Sequence, residues 1–259
     1  MKRFHICTIS NDLEQYREMK ASFIDAGFDE NRCCYTVFDN TSSNVYDPYR
    51  VIKIIQETPT EPYIVLCHQD ILLDRGDGFE KLVKVIEELN NLDHKWAVLG
   101  NAGFNDNHQQ IVRIKDPHDL EQWTGSFPQK VHSLDENFLV IKASTNVYPS
   151  EELRGFHLYA TDLCLNAALR DYSCYVIDFY ITHLSSGTLD RVFWDACKSF
   201  HERWNQEFGF YFIKTTGSIP MLLSKHKILL HLFSKGIGEQ ILTTCIRLRK
   251  KLKIMIRSC

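Results

Sequence analysis

The sequence predicts an α/β fold: a mixed, mostly parallel sheet flanked by helices, followed by a basic helical tail. Over residues 1–220, apolar runs of strand length alternate with segments whose apolar residues recur at helical spacing. Three of the strand-like runs end in the polar clusters SND, DNTSSN and HQD, which begin at Ser10, Asp39 and His68. Because ligands of open α/β sheets lie beyond the carboxyl ends of the strands, we expect these clusters to meet around one crevice.

Each element is predicted from an apolar period and a polar or glycine boundary. In chain order, the elements are a strand at residues 3–10, a helix over Leu13–Ala26, a strand at Cys33–Phe38, a helix near Pro48–Gln56, a strand at Tyr63–Cys67, a helix over Phe79–Asn90 and a strand at Trp96–Leu99. Gly27 ends the first helix, and Gly100 follows the last of these strands. This alternation indicates a parallel sheet with helices on its faces.

Composition limits the class of protein. The 259 residues are 44% hydrophobic and 24% charged, which fits one domain with a sizeable core, with or without an appendage, and excludes a disordered or collagen-like chain. No run reaches the roughly 18 uncharged apolar residues that a membrane-spanning helix needs. The residues from Met1 to His5 also lack the apolar core of a secretory signal. We therefore expect a cytoplasmic protein.

The nine cysteines are predicted to be reduced. Cys7, Cys67, Cys164 and Cys174 lie inside apolar runs, and the Cys33-Cys34 pair has no second pair at the spacing of a zinc site. Buried cysteines of a cytoplasmic protein act mainly as small apolar residues.

Charge divides the chain into two regions. Residues 221–259 carry nine lysines and arginines against one acidic residue, Glu239, so this region has a net charge of +8 and leaves −11 for residues 1–220. Its leucines and isoleucines recur at helical spacing between the cations, a pattern typical of a helix on an anionic membrane surface. A basic helical hairpin packed on the domain is the alternative.

Nucleic acid is not an expected partner, because no aromatic residues are interleaved with the tail's cations and the main body is acidic. We expect a catalytic domain at 1–215 and a tail at 216–259.

The cluster His68-Gln69-Asp70 interrupts an apolar run. A buried strand ending there would hold Asp70 and His68 rigidly where a divalent cation takes oxygen or nitrogen ligands. Such a cation neutralises the charge that builds up on a departing diphosphate, so the cluster suits transfer from a nucleotide diphosphate. The structural alternative is that both side chains cap the next turn.

Four segments carry a resemblance to a known family: ICTIS, FDNTSSN, VLCHQDILL and GFHLYATDLCLNAALRDYSCYVID. They span about residues 3–185, and the last is the most specific. The chain resembles the nucleotide-sugar glycosyltransferases of the GT-A type, in particular a family-two-like bacterial branch whose Asp-x-Asp metal motif reads His-Gln-Asp. The resemblance implies an inverting enzyme that moves a sugar from a nucleotide-diphosphate donor, most often UDP-linked, to a saccharide hydroxyl.

The resemblance also implies roles for individual residues. Asp162 would be the general base that takes the proton of the acceptor hydroxyl. Asp70, with His68 and His183, would hold Mn²⁺ or Mg²⁺ on the diphosphate, although His68 replaces an acidic residue and direct phosphate contact stays open. The implied nucleotide pocket consists of Thr8, Ser10, Asp39 and Ser42. The implied donor and acceptor pocket consists of Gly100, Gly103, Asp135, Glu136, His157 and Tyr159.

The tail and the resemblance together suggest a setting. A polyprenyl-linked saccharide at the inner face of the bacterial plasma membrane would be the acceptor, in the assembly of a surface polysaccharide such as the O-antigen of lipopolysaccharide or a capsule. Two alternatives stay open. His157 and Asp162 are also spaced as the His-x4-Asp hexapeptide of membrane acyltransferases, and the chain could be a nucleotide-sugar-binding relative without activity.

Overall fold

A computed structural model describes residues 2–118, 120–185, 187, 190–215, 217 and 219–234. The strands are β1 (Phe4–Ser10), β2 (Cys33–Asp39), β3 (Tyr63–Cys67), β4 (Ile71–Leu72), β5 (Trp96–Gly100), β6 (Ala102–Phe104), β7 (Gln110–Lys115), β8 (Glu121–Thr124), β9 (Gln129–Val131), β10 (Ser133–Leu134), β11 (Phe138–Lys142), β12 (Ser173–Val176), β13 (Ile181–His183), β14 (Tyr211–Lys214) and β15 (Pro220–Leu223). The helices are α1 (Leu13–Asp25), α2 (Pro48–Glu57), α3 (Phe79–Leu92), α4 (Tyr159–Leu169), α5 (Arg191–Trp204) and α6 (Lys227–Ser234).

The central sheet has seven strands in the order β2-β1-β3-β11-β5-β12-β9. β1 pairs in parallel with β2 and β3, and β5 pairs in parallel with β12. β11 runs antiparallel between β3 and β5, and β9 runs antiparallel to β12. The predicted mixed, mostly parallel sheet is therefore confirmed. A second sheet is built from β10, β6, β7, β13 and β4, with β8 beside β7, and β14 and β15 form a hairpin.

Helices cover both faces of the central sheet because the side chains of its strands alternate between two apolar layers. In β3, Ile64 and Leu66 pack with α2, α4 and α5, whereas Val65 and Cys67 pack with α1 and α3. β3 is thus buried on both faces, and it carries its last side chains to the sheet edge with little freedom of movement.

The helix ends next to this edge follow from local chemistry. Asp12 caps α1 by accepting the backbone N–H groups of Glu14 and Gln15 at 2.9 and 3.1 Å. Gly27, with φ +91°, ends it in the left-handed conformation that glycine adopts at little cost. Asp47 caps α2 by accepting the N–H of Arg50. The loops after β1 and β2 are therefore fixed at the edge where β3 also ends.

The folded unit extends past the predicted boundary at residue 215. β15 pairs with β14, and its residues Met221, Leu222 and Leu223 are buried. A division at 215 would separate the two strands of this hairpin, so the tail begins after β15. Its first residues form α6, which agrees with a helical tail, and residues 235–259 lie outside the described residues. Among the described helices, none is long and apolar enough to cross a membrane.

All seven cysteines in the described part of the chain are free thiols, as predicted. Six are buried, and Cys34 is partly exposed.

Candidate active site

A cleft of about 850 Å³ opens at the carboxyl ends of β1 and β3. A smaller compartment of about 300 Å³ adjoins it. The two compartments share the lining residues Ile9, Asn11, His68 and Phe156. Asp70 lines the smaller compartment and His183 the larger one, so the predicted metal residues stand where the compartments meet.

His68, Asp70 and His183 form one cluster. One ligand atom from each residue lies within 4.8 Å of the other two. The Nδ1 atom of His68 is 3.8 Å from Asp70 Oδ1, and the Nε2 atom of His183 is 3.4 Å from Asp70 Oδ2. β3 delivers the first two residues to the cleft, and β13, which is antiparallel to β4, delivers the third. Residues 115 positions apart in the chain thus meet as the resemblance implied.

The cluster fits a divalent transition metal. His183 Nε2 is buried without a hydrogen bond to a described residue, which leaves a nitrogen available to an ion. For His68, the partners define the tautomer. The hydroxyl of Tyr159 donates its hydrogen to the carbonyl oxygen of Glu136 at 2.8 Å. In its contact with His68 Nε2 at 3.3 Å, the same hydroxyl oxygen is therefore the acceptor, and His68 Nε2 carries the hydrogen. Nδ1 of His68 then carries the free lone pair, and it faces Asp70. Two imidazole nitrogens and a carboxylate favour Mn²⁺ and similar ions over Mg²⁺.

Electrostatics favour the charged form of Asp70. Burial alone would raise the pKa of this carboxyl, but the neighbouring His183 and the Ser185 hydroxyl, which donates to Oδ2, together hold it below its usual range. Burial disfavours a charged His183, yet the Asp70 carboxylate outweighs this effect and raises its pKa. Burial lowers the pKa of His68. A cation that displaces the proton of His183 would thus meet an ionised carboxylate.

Gln69, the middle residue of the HQD cluster, ties the metal strand to the loop after β1. Its side-chain carbonyl accepts the Ser10 hydroxyl at 2.7 Å and the backbone N–H groups of Asn11 and Asp12 at 3.0 and 3.2 Å. Its amide group donates to the Asn11 side chain at 2.7 Å. These bonds fix the loop after β1 relative to the end of β3. The motif alone did not reveal this function of Gln69.

The structure does not bring Asp162 to the cleft, which disagrees with its predicted use as general base. Its side chain is fully buried in α4. Oδ1 accepts the Ser150 hydroxyl at 2.7 Å and the Trp204 indole N–H at 2.9 Å. Oδ2 accepts the Ser150 backbone N–H at 2.7 Å and the Asn166 amide at 3.1 Å. With both oxygens occupied and no exposed surface, Asp162 cross-links α4, α5 and the segment before α4. The donors that its oxygens accept come from Ser150, Asn166 and Trp204, and not from His157 as an acyltransferase dyad would require.

None of the four predicted nucleotide residues is a lining residue of these two compartments. Thr8 is buried against Cys67 at 3.5 Å, and the Ser10 hydroxyl is held by Gln69, so neither faces a ligand. Asp39, the last residue of β2, and Ser42, in the loop after it, are both exposed. Asp39 accepts the backbone N–H and the hydroxyl of Thr41. The alternation of side chains along β1 explains the error, since it turns Ile9 to the cleft and its neighbours away.

The residues predicted for the donor and acceptor pocket fall into two groups. The cleft is lined by Asp135, Glu136, His157 and Tyr159, as predicted. Gly100 and Gly103 do not line it. A Cβ atom on Gly103 would lie 2.2 Å from the Ser133 carbonyl oxygen, and one on Gly100 would lie 3.0 Å from a Leu134 methyl. These glycines allow close strand packing rather than approach of a ligand.

Sequence reasoning missed several lining residues. Asn40 and Asn44 line the smaller compartment, Phe193 lines the larger one, and the Phe156 ring lies at both. Asn40 was within a segment already singled out, and its amide fixes the loop by donating to the Tyr46 carbonyl at 2.8 Å. No sequence signal marked Phe193, which reaches the cleft only because α5 packs beside α4.

Comparison with known proteins places the chain in a family. The protein described as ATP synthase subunits region ORF 6, from Fuscovulum blasticum, is 32% identical over 197 residues, which cover 73% of this chain and 78% of that protein. The chain belongs to the family of that protein. Its description states no activity, and no family model matches the chain.

Solved structures that are similar to this chain show its fold. S. aureus TarS 1–349, in complex with UDP-GlcNAc, superimposes with a TM-score of 0.51 at 13% identity. The mannosyltransferase PcManGT from Pyrobaculum calidifontis, in complex with GDP-Man and Mn²⁺, superimposes with a TM-score of 0.53 at 6% identity. In each case the match covers 80% of this chain and 65% of the other, so the chain spans slightly less than two thirds of either neighbour. The GT-A fold is confirmed, and membership of a branch with a His-Gln-Asp motif stays a prediction.

Proposed function

We propose that the chain is an inverting glycosyltransferase that takes its sugar from a nucleotide diphosphate with the help of a divalent cation. The observation that carries the proposal is the cluster of His68, Asp70 and His183 at the carboxyl end of a buried strand, where two compartments of a GT-A cleft meet. The TarS and PcManGT structures hold UDP-GlcNAc and GDP-Man, and the second also holds Mn²⁺, which supports a donor of this class.

His68, Asp70 and His183 would hold the cation. When bound, it supplies positive charge that neutralises the diphosphate as the bond to the sugar breaks. The chain's own residues fix the geometry around it. Gln69 sets the loop after β1 against the metal strand, and Ser185 orients the Asp70 carboxylate. Such hydrogen bonds from outer residues control both the position and the affinity of a metal ligand.

The two compartments suit the two ends of the reaction. The smaller one is lined by Asn11, Asn40 and Asn44. The Asn40 amide is used within its own loop, so the amides of Asn11 and Asn44 are the groups that can bind a nucleobase or ribose. The larger one, with His157, Glu136 and Phe193 among its lining residues, has room for the donor sugar and an acceptor saccharide. A bound donor would thus have its nucleotide in the smaller compartment, its diphosphate near His68 and its sugar in the larger compartment.

A role in bacterial surface polysaccharide assembly, with a polyprenyl-linked acceptor, is part of the same proposal. Its support is the +8 charge of residues 221–259 and the amphipathic α6, in which Ile228 is 76% exposed. A helix of this kind binds anionic lipid through its cations and apolar face, which would keep the protein at the inner surface of the plasma membrane.

A screen of nucleotide sugars tests the proposal. Purified protein with Mn²⁺ should release nucleoside diphosphate from a UDP- or GDP-sugar, and Asp70→Ala should abolish the release. Stabilisation of the melting transition by UDP or GDP with Mn²⁺, but not by acyl thioesters, would separate this function from acyl transfer. Binding of the nucleotide without turnover of any sugar would identify an inactive relative instead.

A further inference from the structure

The sealed position of Asp162 leaves the proposed reaction without a proton acceptor. An inverting transfer needs a group that removes the proton of the attacking hydroxyl as the new bond forms. That group must line the cleft, be held in place and have an atom that is not already used. Among the described residues, the carboxylates and imidazoles that line the larger compartment are Asp116, His118, Asp135, Glu136, His157 and, at the metal cluster, His68 and His183.

Three of these groups are poorly suited. Asp116 uses Oδ1 to accept the backbone N–H groups of His118 and Leu120, and Oδ2 to accept the Gln122 amide. His118 is exposed on the turn between β7 and β8, so its ring has no fixed position. Glu136 accepts the backbone N–H of Leu158 at 2.8 Å and thereby fixes the start of α4.

Asp135 lies on the metal side of the cleft. Burial lowers the pKa of His68 and the Asp135 charge opposes that effect, whereas at His183 the Asp135 charge adds to the raised pKa that Asp70 causes. A carboxylate in that position interacts with the cation or with a hydroxyl of the donor sugar. It is therefore placed to help hold the donor rather than to face the oxygen that attacks from the opposite side.

His157 meets all three requirements. Its ring lines the cleft and packs edge-on against Phe193, with ring centroids 5.4 Å apart and planes at 80°. The hydroxyl of Tyr49 donates to its backbone carbonyl at 2.9 Å, which fixes the main chain. Its ring nitrogens make no hydrogen bond to any residue that the structure describes. A half-buried ring held in this way presents a free nitrogen to the cleft.

The geometry points to His157 as the catalytic residue that takes the proton from the acceptor hydroxyl. This inference rests on the proposed function. As the hydroxyl oxygen bonds to the anomeric carbon, its O–H bond breaks and the proton passes to a ring nitrogen of His157. The bond between that carbon and the diphosphate oxygen breaks at the same time, and its electron pair leaves on the diphosphate. The imidazolium then returns its proton to water.

Burial and one charged neighbour adjust the pKa of His157 for this step. Partial burial lowers its pKa, so the ring is neutral and able to accept a proton at pH 7. The carboxylate of Asp190, which caps α5, acts in the opposite direction and would stabilise the imidazolium once it forms.

Turnover of UDP-GlcNAc or GDP-mannose with Mn²⁺ tests the inference, with water as the acceptor and release of nucleoside diphosphate as the readout. We expect His157→Gln and His157→Asn to lower kcat by about 100- to 10,000-fold, the usual contribution of a general base. The donor KM should change by less than about threefold, since the donor site is intact. Added imidazole should restore part of the activity of His157→Ala. His94→Gln, an exposed histidine outside the cleft, is the matched control.

Each other outcome has a definite meaning. If the wild type turns over its donor and His157→Gln keeps kcat within about threefold, His157 is not the base and the proposed function survives. If Asp135→Asn removes turnover while Mn²⁺ binding and the donor KM stay unchanged, and His157→Gln remains active, the base is Asp135 and the inference is wrong. If the wild type releases no diphosphate from any nucleotide sugar, the proposed function fails and this inference fails with it. Melting curves and nucleotide binding of each variant distinguish a lost base from a lost fold.

Discussion

The side-chain carbonyl of Gln69 accepts the hydroxyl of Ser10 at 2.7 Å, across the gap between the metal strand and the loop after β1. The same side chain makes three further hydrogen bonds with that loop, two to Asn11 and one to Asp12. The middle residue of the HQD cluster is therefore a positioning residue for the ligands on either side of it.

Replacing Gln69 should loosen the metal site without unfolding the protein. In Gln69→Ala the loop after β1 loses its tie to β3, so His68 and Asp70 are less well oriented. We expect Mn²⁺ affinity, measured by titration calorimetry, to fall about 10- to 100-fold, as is usual for loss of such outer contacts. Tm should change little, since the loop is exposed. Gln206→Ala, an exposed glutamine after α5, should leave both values unchanged; equal Mn²⁺ affinity in the two variants would show that Gln69 does not orient the ligands.

Removing a predicted metal ligand should abolish metal binding. Asp70→Ala takes away the only carboxylate of the described cluster and leaves two neutral imidazoles, so Mn²⁺ binding should become undetectable at micromolar concentration. Electron paramagnetic resonance of free and bound Mn²⁺ measures this directly. Asp25→Asn, on the exposed face of α1, is the control. Full Mn²⁺ affinity in Asp70→Ala would place the cation elsewhere.

Asp162→Asn should destabilise the protein rather than remove a catalytic group. The asparagine amide would face the Ser150 N–H, so one buried donor loses its acceptor, at a cost of about 1–3 kcal/mol in the free energy of unfolding. Urea unfolding measures this cost. A variant with wild-type stability and a hundredfold lower kcat would contradict this assignment and restore Asp162 as the base.

The pH dependence of that loss has a predictable sign. Burial raises the pKa of Asp162 to about 6, even though hydrogen bonds from Ser150 and Trp204 oppose the shift. Between its ordinary value of 3.8 and about 6, the folded state binds the proton more tightly than the unfolded state. The contribution of this group to stability is therefore largest at low pH and declines as the pH rises to 6. The difference in stability between wild type and Asp162→Asn should shrink over this range, and a growing difference would contradict the raised pKa.

Gly103→Ala tests the structural interpretation of the strand glycines. Its Cβ would lie 2.2 Å from the Ser133 carbonyl oxygen, so β6 and β10 would have to separate. Overpacking of this kind costs about 1–3 kcal/mol in the free energy of unfolding. Gly209→Ala, where no atom lies within 4 Å of the new Cβ, is the control and should have a wild-type Tm. Equal stability of the two variants would show that the strands move apart at no cost.

Truncation tests the tail. Removal of residues 227–259 leaves the β14–β15 hairpin intact, and the shortened protein should no longer sediment with vesicles that contain anionic lipid. Full-length protein with neutral vesicles is the control. If the shortened protein still sediments, the cations of the tail do not provide the attachment.

The sequence by itself determined the order of strands and helices through residue 100, apart from the short β4, and singled out the three residues of the candidate metal cluster. Those predictions depend on local periodicity, on caps such as Asp12 and on the burial of β3, all of which act over a few residues. His68 and Asp70 were singled out because they end an apolar run, and His183 because the resemblance implied a histidine near the diphosphate.

Tertiary structure alone decided which polar side chains are open to a ligand. Asp162 and His157 are five positions apart, and the family resemblance implied that the carboxylate is the base. Packing of α5 seals Asp162 under Trp204, while the turn before α4 leaves His157 at the cleft. Whether a carboxylate is sealed or open depends on side chains from distant elements, because burial and hydrogen bonding are properties of the assembled core and not of a short motif.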